Sequence, residues 1–161
     1  MPYGRQDVDF PGAQAGRGES IAEKPSFRNA FKSRRCLVPA DGFYEWRKSA
    51  RGKVPYLIRR PDSTPFAFAG LWEHWKGPSG AIDSYTILTT DANELMRPIH
   101  DRMPVIVDPS AFDAWLDPAW RDVEVLKRWL LPAPAESMTA YAVGSRVSNA
   151  RNEGEDLIEP V

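Results

Sequence analysis

Arg34-Arg35-Cys36-Leu37-Val38-Pro39-Ala40-Asp41-Gly42-Phe43-Tyr44-Glu45-Trp46 opens on two cations and carries two short apolar runs, separated by a proline and an Asp-Gly pair. That punctuation predicts a strand, a tight bend and a second strand. Along the second run, alternation with a period of two puts Phe43 and Glu45 on one face and Tyr44 and Trp46 on the other. Glu45 thus shares a face with an aromatic ring. A carboxylate in an apolar surround is driven toward its neutral form, as a general acid working near neutral pH requires; an edge-strand glutamate facing water is the plainer alternative.

Outward from this stretch, Ile21, Ala22, Phe27, Ala30 and Phe31 recur at helical spacing, and Pro25 stands early among them. The spacing predicts a helix over Pro25 to Ser33. Arg28, Lys32 and Arg35 would then lie near one another, most simply on a solvated face. Gly52 marks a hairpin loop within residues 48–53, followed by a strand at Pro55 to Ile58. Phe66 to Trp72 is apolar on both faces and reads as a buried strand, with His74 beyond it as a surface histidine. Ser84 to Thr90 is a β-branched strand. A short helix is expected from Asp91-Ala92-Asn93 up to Pro98, then an apolar strand after Ile99-His100-Asp101-Arg102. Ser110 is a candidate cap for a helix ending at Leu116. A helix over Val123 to Leu131, a strand over Met138 to Val143 and an acidic tail from Val147 complete the chain. Core packing is the expected role of Trp115, Trp120 and Trp129.

Strands dominate and no βαβ rhythm appears, so the fold class is α+β: a mixed or antiparallel, barrel-like sheet with short flanking helices. The 161 residues suffice for one domain with one core. Residues 1–16, rich in glycine and without hydrophobic period, are expected to be loose. A single cysteine, Cys36, excludes an intrachain disulfide. No apolar run could span a bilayer, so no membrane association and a cytoplasmic location are expected. A net charge of −1 neither favours nor excludes nucleic acid, but basic residues crowd the first half and the tail is acidic, so a one-sided basic surface is plausible.

Acid-base and anion-binding capacity concentrates in Glu45, His100 and Arg102, with Arg17 between two glycines. His100 titrates near neutral pH, and Arg102, two residues on, would point to the same side of an extended segment. Two histidines and one cysteine, widely separated, make no zinc site, and no cofactor motif is present.

Four motifs in series, Arg34 to Trp46, Phe68-Ala69-Gly70-Leu71-Trp72-Glu73, Thr86-Ile87-Leu88-Thr89-Thr90 with Ala92-Asn93, and Ile99-His100-Asp101-Arg102-Met103-Pro104, resemble the SRAP family of SOS-response-associated peptidases, or abasic-site processing proteins. The resemblance covers Arg17 to Val161. It implies a β-rich α+β domain that binds single-stranded DNA and captures the ring-opened aldehyde of an abasic site; a monomer is expected. It further implies that Glu45 shuttles protons during Schiff-base formation and ring closure. His100 would assist ring opening, Arg17 and Arg102 would contact phosphates, and Trp46 and Thr89 would line the site. The family's nucleophile is a cysteine exposed by removal of the initiator methionine; this chain carries Pro2 there. Ala15 stands where the family has asparagine, and fewer residues precede Arg17. A missing N-terminal portion and a missing nucleophile are therefore expected. The alternative reading is a non-catalytic single-stranded-DNA-binding remnant or a truncated gene product.

Overall fold

The computed structural model describes residues 16–78 and 80–161. The N-terminal stretch expected to be loose lies, apart from Gly16, outside the described residues, as does Ala15. The architecture is α+β, with eight strands in two sheets and three short α-helices among the described residues. The larger sheet runs β1 (Gly16–Arg17), β6 (Gly80–Asp91), β5 (Phe66–Gly77), β2 (Arg35–Ala40), with β7 (Arg102–Pro104) also on β6. The smaller runs β3 (Phe43–Ser49), β4 (Gly52–Arg59), β8 (Thr139–Ala142). Among the described residues β1 pairs with β6 in parallel, and the other strand pairings are antiparallel.

The Asp41-Gly42 bend does more than reverse the chain: it transfers it from one sheet to the other, β2 pairing with β5 and β3 with β4. Gly42 is required there by close approach. A Cβ at that position would lie 2.9 Å from the Ile58 carbonyl oxygen, inside any normal contact. The β3–β4 hairpin closes at Ser49↔Gly52, where Gly52 has φ = 120°.

Two apolar clusters hold the layers. One, containing Phe31, Leu71, Leu88, Trp115 and Leu126, lies between the larger sheet and the helices α1 (Pro25–Ser33), α2 (Phe112–Leu116) and α3 (Val123–Arg128). The other joins the two sheets through Ile58, Phe66, Phe68, Met96 and Met103, with Phe43 edge-on to Phe68 at 5.8 Å. Burying such side chains contributes ~1.5–3 kcal/mol each.

The helix expected over residues 25–33 forms with those bounds. The one expected before Pro98 does not: residues 94–99 make successive turns. Asn93 Oδ1 takes the Met96 N–H at 3.0 Å, and Pro98 disfavours helical geometry at Arg97, so no helix propagates. Asp108, not Ser110, caps the next segment, its carboxylate accepting from Ser110 N at 2.9 Å ahead of a 3₁₀ turn. Trp115 is fully buried, but Trp120 is 41% exposed. His74 is exposed, its Nδ1 2.5 Å from Asp83 across the β5–β6 pair. The acidic tail packs back, with Leu157 and Ile158 carbonyls accepting from the Tyr44 and Tyr141 hydroxyls.

Arg35 departs most from expectation. Instead of joining a solvated face it is 5% exposed. Nε donates to Trp115 O at 2.6 Å, one terminal nitrogen to Phe31 O and Lys32 O at 2.8 Å each, and the other to Asp117 O at 2.5 Å and Trp120 O at 3.0 Å. All five guanidinium donors are thereby used. The carbonyls belong to the last turns of α1 and α2 and the loop beyond, where no intrahelical partner exists.

Candidate active site

One cavity of about 680 Å³ collects side chains from six places in the chain. Arg17 comes from β1, Ser20 from the 3₁₀ turn after it and Lys24 from the N-cap of α1; Glu45 comes from β3, Thr89 from β6, and His100 with Arg102 to Pro104 from the segment entering β7. Strand register explains much of this convergence. Arg17 stands opposite Thr89, and Thr89 opposite Pro104, so three adjacent strands present them side by side.

Arg102 is held in place rather than left to swing. It donates to Asp91 Oδ1 at 2.7 Å, to the Thr89 carbonyl at 2.8 Å and to Thr89 Oγ1 at 3.3 Å, and its side chain remains 20% exposed. Held so, the guanidinium keeps a fixed orientation in the cavity wall, so an anion that meets it imposes little further ordering cost. His100 is 42% exposed, and its Nδ1 has a partner in either protonation state. In the neutral ring Nδ1 accepts from Arg102 N–H at 3.0 Å, which leaves the proton on Nε2. In the charged ring Nδ1–H faces the Asp101 carboxylate at 3.2 Å and the Arg102 carbonyl at 3.2 Å. Such a ring can gain or lose a proton without losing its orientation.

Glu45 is half-buried on the β3 face that also carries Phe43. Its surround is mixed rather than apolar: Met103 and Pro104 line the cavity, and so do Arg17, Lys24 and Arg102. The arrangement can bind an anion through three cations and can exchange protons through a carboxylate and an imidazole. Among the described residues, no cluster of histidine, cysteine, aspartate or glutamate could hold a metal ion, and no helix is long and apolar enough to cross a membrane.

Five of the six residues singled out from sequence line this cavity, namely Arg17, Glu45, Thr89, His100 and Arg102. Trp46 is not among its lining residues. It projects from the opposite face of β3, where Nε1 donates to Ser148 Oγ at 3.0 Å. Lys24 and Ser20 were not anticipated; the one available signal was a lysine immediately before the helix-starting Pro25. Cys36 lies elsewhere, in a groove of about 600 Å³ with Val38, Trp72 and Tyr85, and burial pushes its thiol up from the ordinary value. That suppresses the thiolate and makes it a poor nucleophile.

Comparison with known proteins adds the following. The family model described as SOS response associated peptidase (SRAP) matches residues 7–150. The abasic site processing protein YoqW of Bacillus subtilis is 46% identical over 145 residues, covering 89% of this chain and 65% of that protein. The abasic site processing protein HMCES of Gallus gallus is 32% identical over 167 residues, covering 90% of this chain and 49% of its own length. A crystal structure of a protein from Bacteroides thetaiotaomicron superposes with a TM-score of 0.83 at 31% identity, covering 91% of this chain and 65% of that one. The chain thus spans just under two thirds of the bacterial relative and about half of the vertebrate one.

Proposed function

Since the chain belongs to the SOS response associated peptidase (SRAP) family, we propose that its cavity receives an abasic site in an unpaired DNA strand and carries out acid-base chemistry on the exposed sugar. The observation that carries this reading is the meeting of Glu45 and His100 with three cations in one hollow. A base-free deoxyribose is a small polar sugar between two phosphates, and that combination suits the site. Arg17 and Arg102 take the flanking phosphates, with Thr89 beside them; phosphate contacts of this kind position a strand without reading its sequence.

In an abasic sugar the closed ring must open before the aldehyde can react. A base removes the proton of the anomeric hydroxyl, the bond from C1′ to the ring oxygen breaks, and that oxygen takes up a proton. His100 and Glu45 are the two groups in the cavity able to exchange those protons. Cys36, in its separate groove, does not supply the nucleophile that the family resemblance assigns to an N-terminal cysteine. Binding and proton transfer are therefore the tasks proposed for the residues described. The domain works on its strand as a monomer.

An alkoxyamine that captures only the open aldehyde tests the chemistry. The protein should raise the capture rate on single-stranded abasic DNA. His100→Gln should remove most of that acceleration, because acid-base groups typically contribute ~10²-fold or more. A capture rate indifferent to both His100→Gln and Glu45→Gln would defeat the assignment.

A further inference from the structure

Beyond Glu45 the same strand runs into a hairpin rich in positive charge. Arg47, Lys48, Arg51 and Lys53 crowd the β3–β4 turn, and none of them forms an ion pair among the described residues. Register sets Lys48 directly opposite Lys53. Like charges in that relation repel and weaken a hairpin. Lys48, Arg51 and Lys53 are exposed. Arg47 differs: its guanidinium lies over the Tyr56 ring, 4.8 Å from the centroid, and Tyr56 is the cross-strand neighbour of Glu45. The tip is ordered by Ser49, whose Oγ donates to Gly52 O at 2.8 Å and accepts from Arg51 N at 3.3 Å. An ordered tip that concentrates positive charge fits a polyanion.

We propose that this hairpin is a second phosphate-binding surface, which takes the strand as it leaves the cavity. Arg47, held flat on Tyr56 and two residues from Glu45, receives the first phosphate outside the hollow. Lys48, Arg51 and Lys53 receive those that follow. At a strand rise of ~3.3 Å per residue, Ser49 at the tip lies about 13 Å along β3 from Glu45, so the surface extends the footprint by more than one nucleotide. The partner is the unpaired DNA strand of the proposed function, on which this inference rests, and the contact is to its backbone without sequence preference.

The test compares two single-stranded oligonucleotides carrying a tetrahydrofuran abasic analogue, of about 4 and about 15 nucleotides, the range of single-strand site sizes. The variant is Lys48→Gln with Arg51→Gln and Lys53→Gln. Affinity for the longer strand should fall roughly tenfold or more, with its salt slope reduced by ~0.7 for each lost phosphate contact, and the shorter strand should bind as before. The variant's thermal midpoint should be unchanged or higher, because the Lys48–Lys53 repulsion is gone. An unaltered salt slope for the longer strand, or equal weakening of both, would overturn the hairpin surface. Arg102→Ala serves as the separate control: it should weaken both lengths, and indifference of both would instead count against the cavity.

Discussion

Replacing Arg35 by alanine tests whether the second cation of the Arg34-Arg35 pair is structural. The side chain is 5% exposed and its five donors each meet a backbone carbonyl, from Phe31, Lys32, Trp115, Asp117 and Trp120. Removing it strands carbonyls at the ends of two helices and opens a void against the Trp115 ring, over which the guanidinium sits at 5.7 Å. Hydrogen bonds to a charged group contribute ~1.5–3 kcal/mol, but one truncation does not collect the full sum of five, because the segments relax and water enters. Loss of one member of a buried charged network costs ~3–5 kcal/mol, equivalent to roughly 6–20 °C in Tm for a domain of this size. Arg34→Ala is the internal reference, since Arg34 pairs with Glu73 at 2.5 Å on the surface and should cost ~1 kcal/mol or less. Arg35→Lys keeps the charge but offers three donors in place of five, and should fall between. Urea unfolding of the three variants, with m held in common, supplies the comparison. Equal destabilisation by Arg34→Ala and Arg35→Ala would refute the reasoning.

Arg102→Ala should weaken binding of single-stranded DNA by ~1 kcal/mol or more and flatten its salt dependence, read by fluorescence anisotropy across a salt series. An unchanged slope would remove Arg102 from the phosphate contacts. Asp108 is held below its ordinary 3.8 by hydrogen bonds from the Ser110 hydroxyl and N–H. Its contribution is therefore complete only well above its ordinary value, above about pH 5, and is lost as pH falls through the lower folded value. Asp108→Ala should accordingly lower Tm at pH 7 and match the parent in strong acid; a Tm gap independent of pH would contradict this. Native Cys36 should react with a thiol reagent at pH 8 more slowly than in urea, given its partial burial and raised thiol. Equal rates would place it in solvent.

How much of this was legible in the sequence depended on the range of the interactions involved. Pro25 and the period of Phe27, Ala30 and Phe31 are local, and the helix forms where they place it. Period-two alternation separated Glu45 from Trp46 correctly, since Phe43 packs on Phe68 while Tyr44 and Trp46 bond to the C-terminal segment. Alternation alone does not say which face meets the cavity, and the assignment of Trp46 to the site came from resemblance. The two-sheet partition was not visible because Asp41-Gly42 serves equally well as a hairpin turn and as a crossing between sheets. Arg35 was misplaced because three of its partners lie about 80 residues away in sequence. Lys24 carries no motif and reaches the cavity only through the tertiary fold, which sets it in one wall with Arg17, Arg102 and Pro104.

The most direct measurement is a backbone amide footprint by NMR, titrating the protein with a single-stranded oligonucleotide that carries a tetrahydrofuran abasic analogue. Chemical shifts should change together at Arg17, Glu45, Thr89, His100 and Arg102, with α3 and the Cys36 groove unmoved. Changes centred on the Cys36–Trp72–Tyr85 groove, or scattered with no focus on the cavity, would contradict the account.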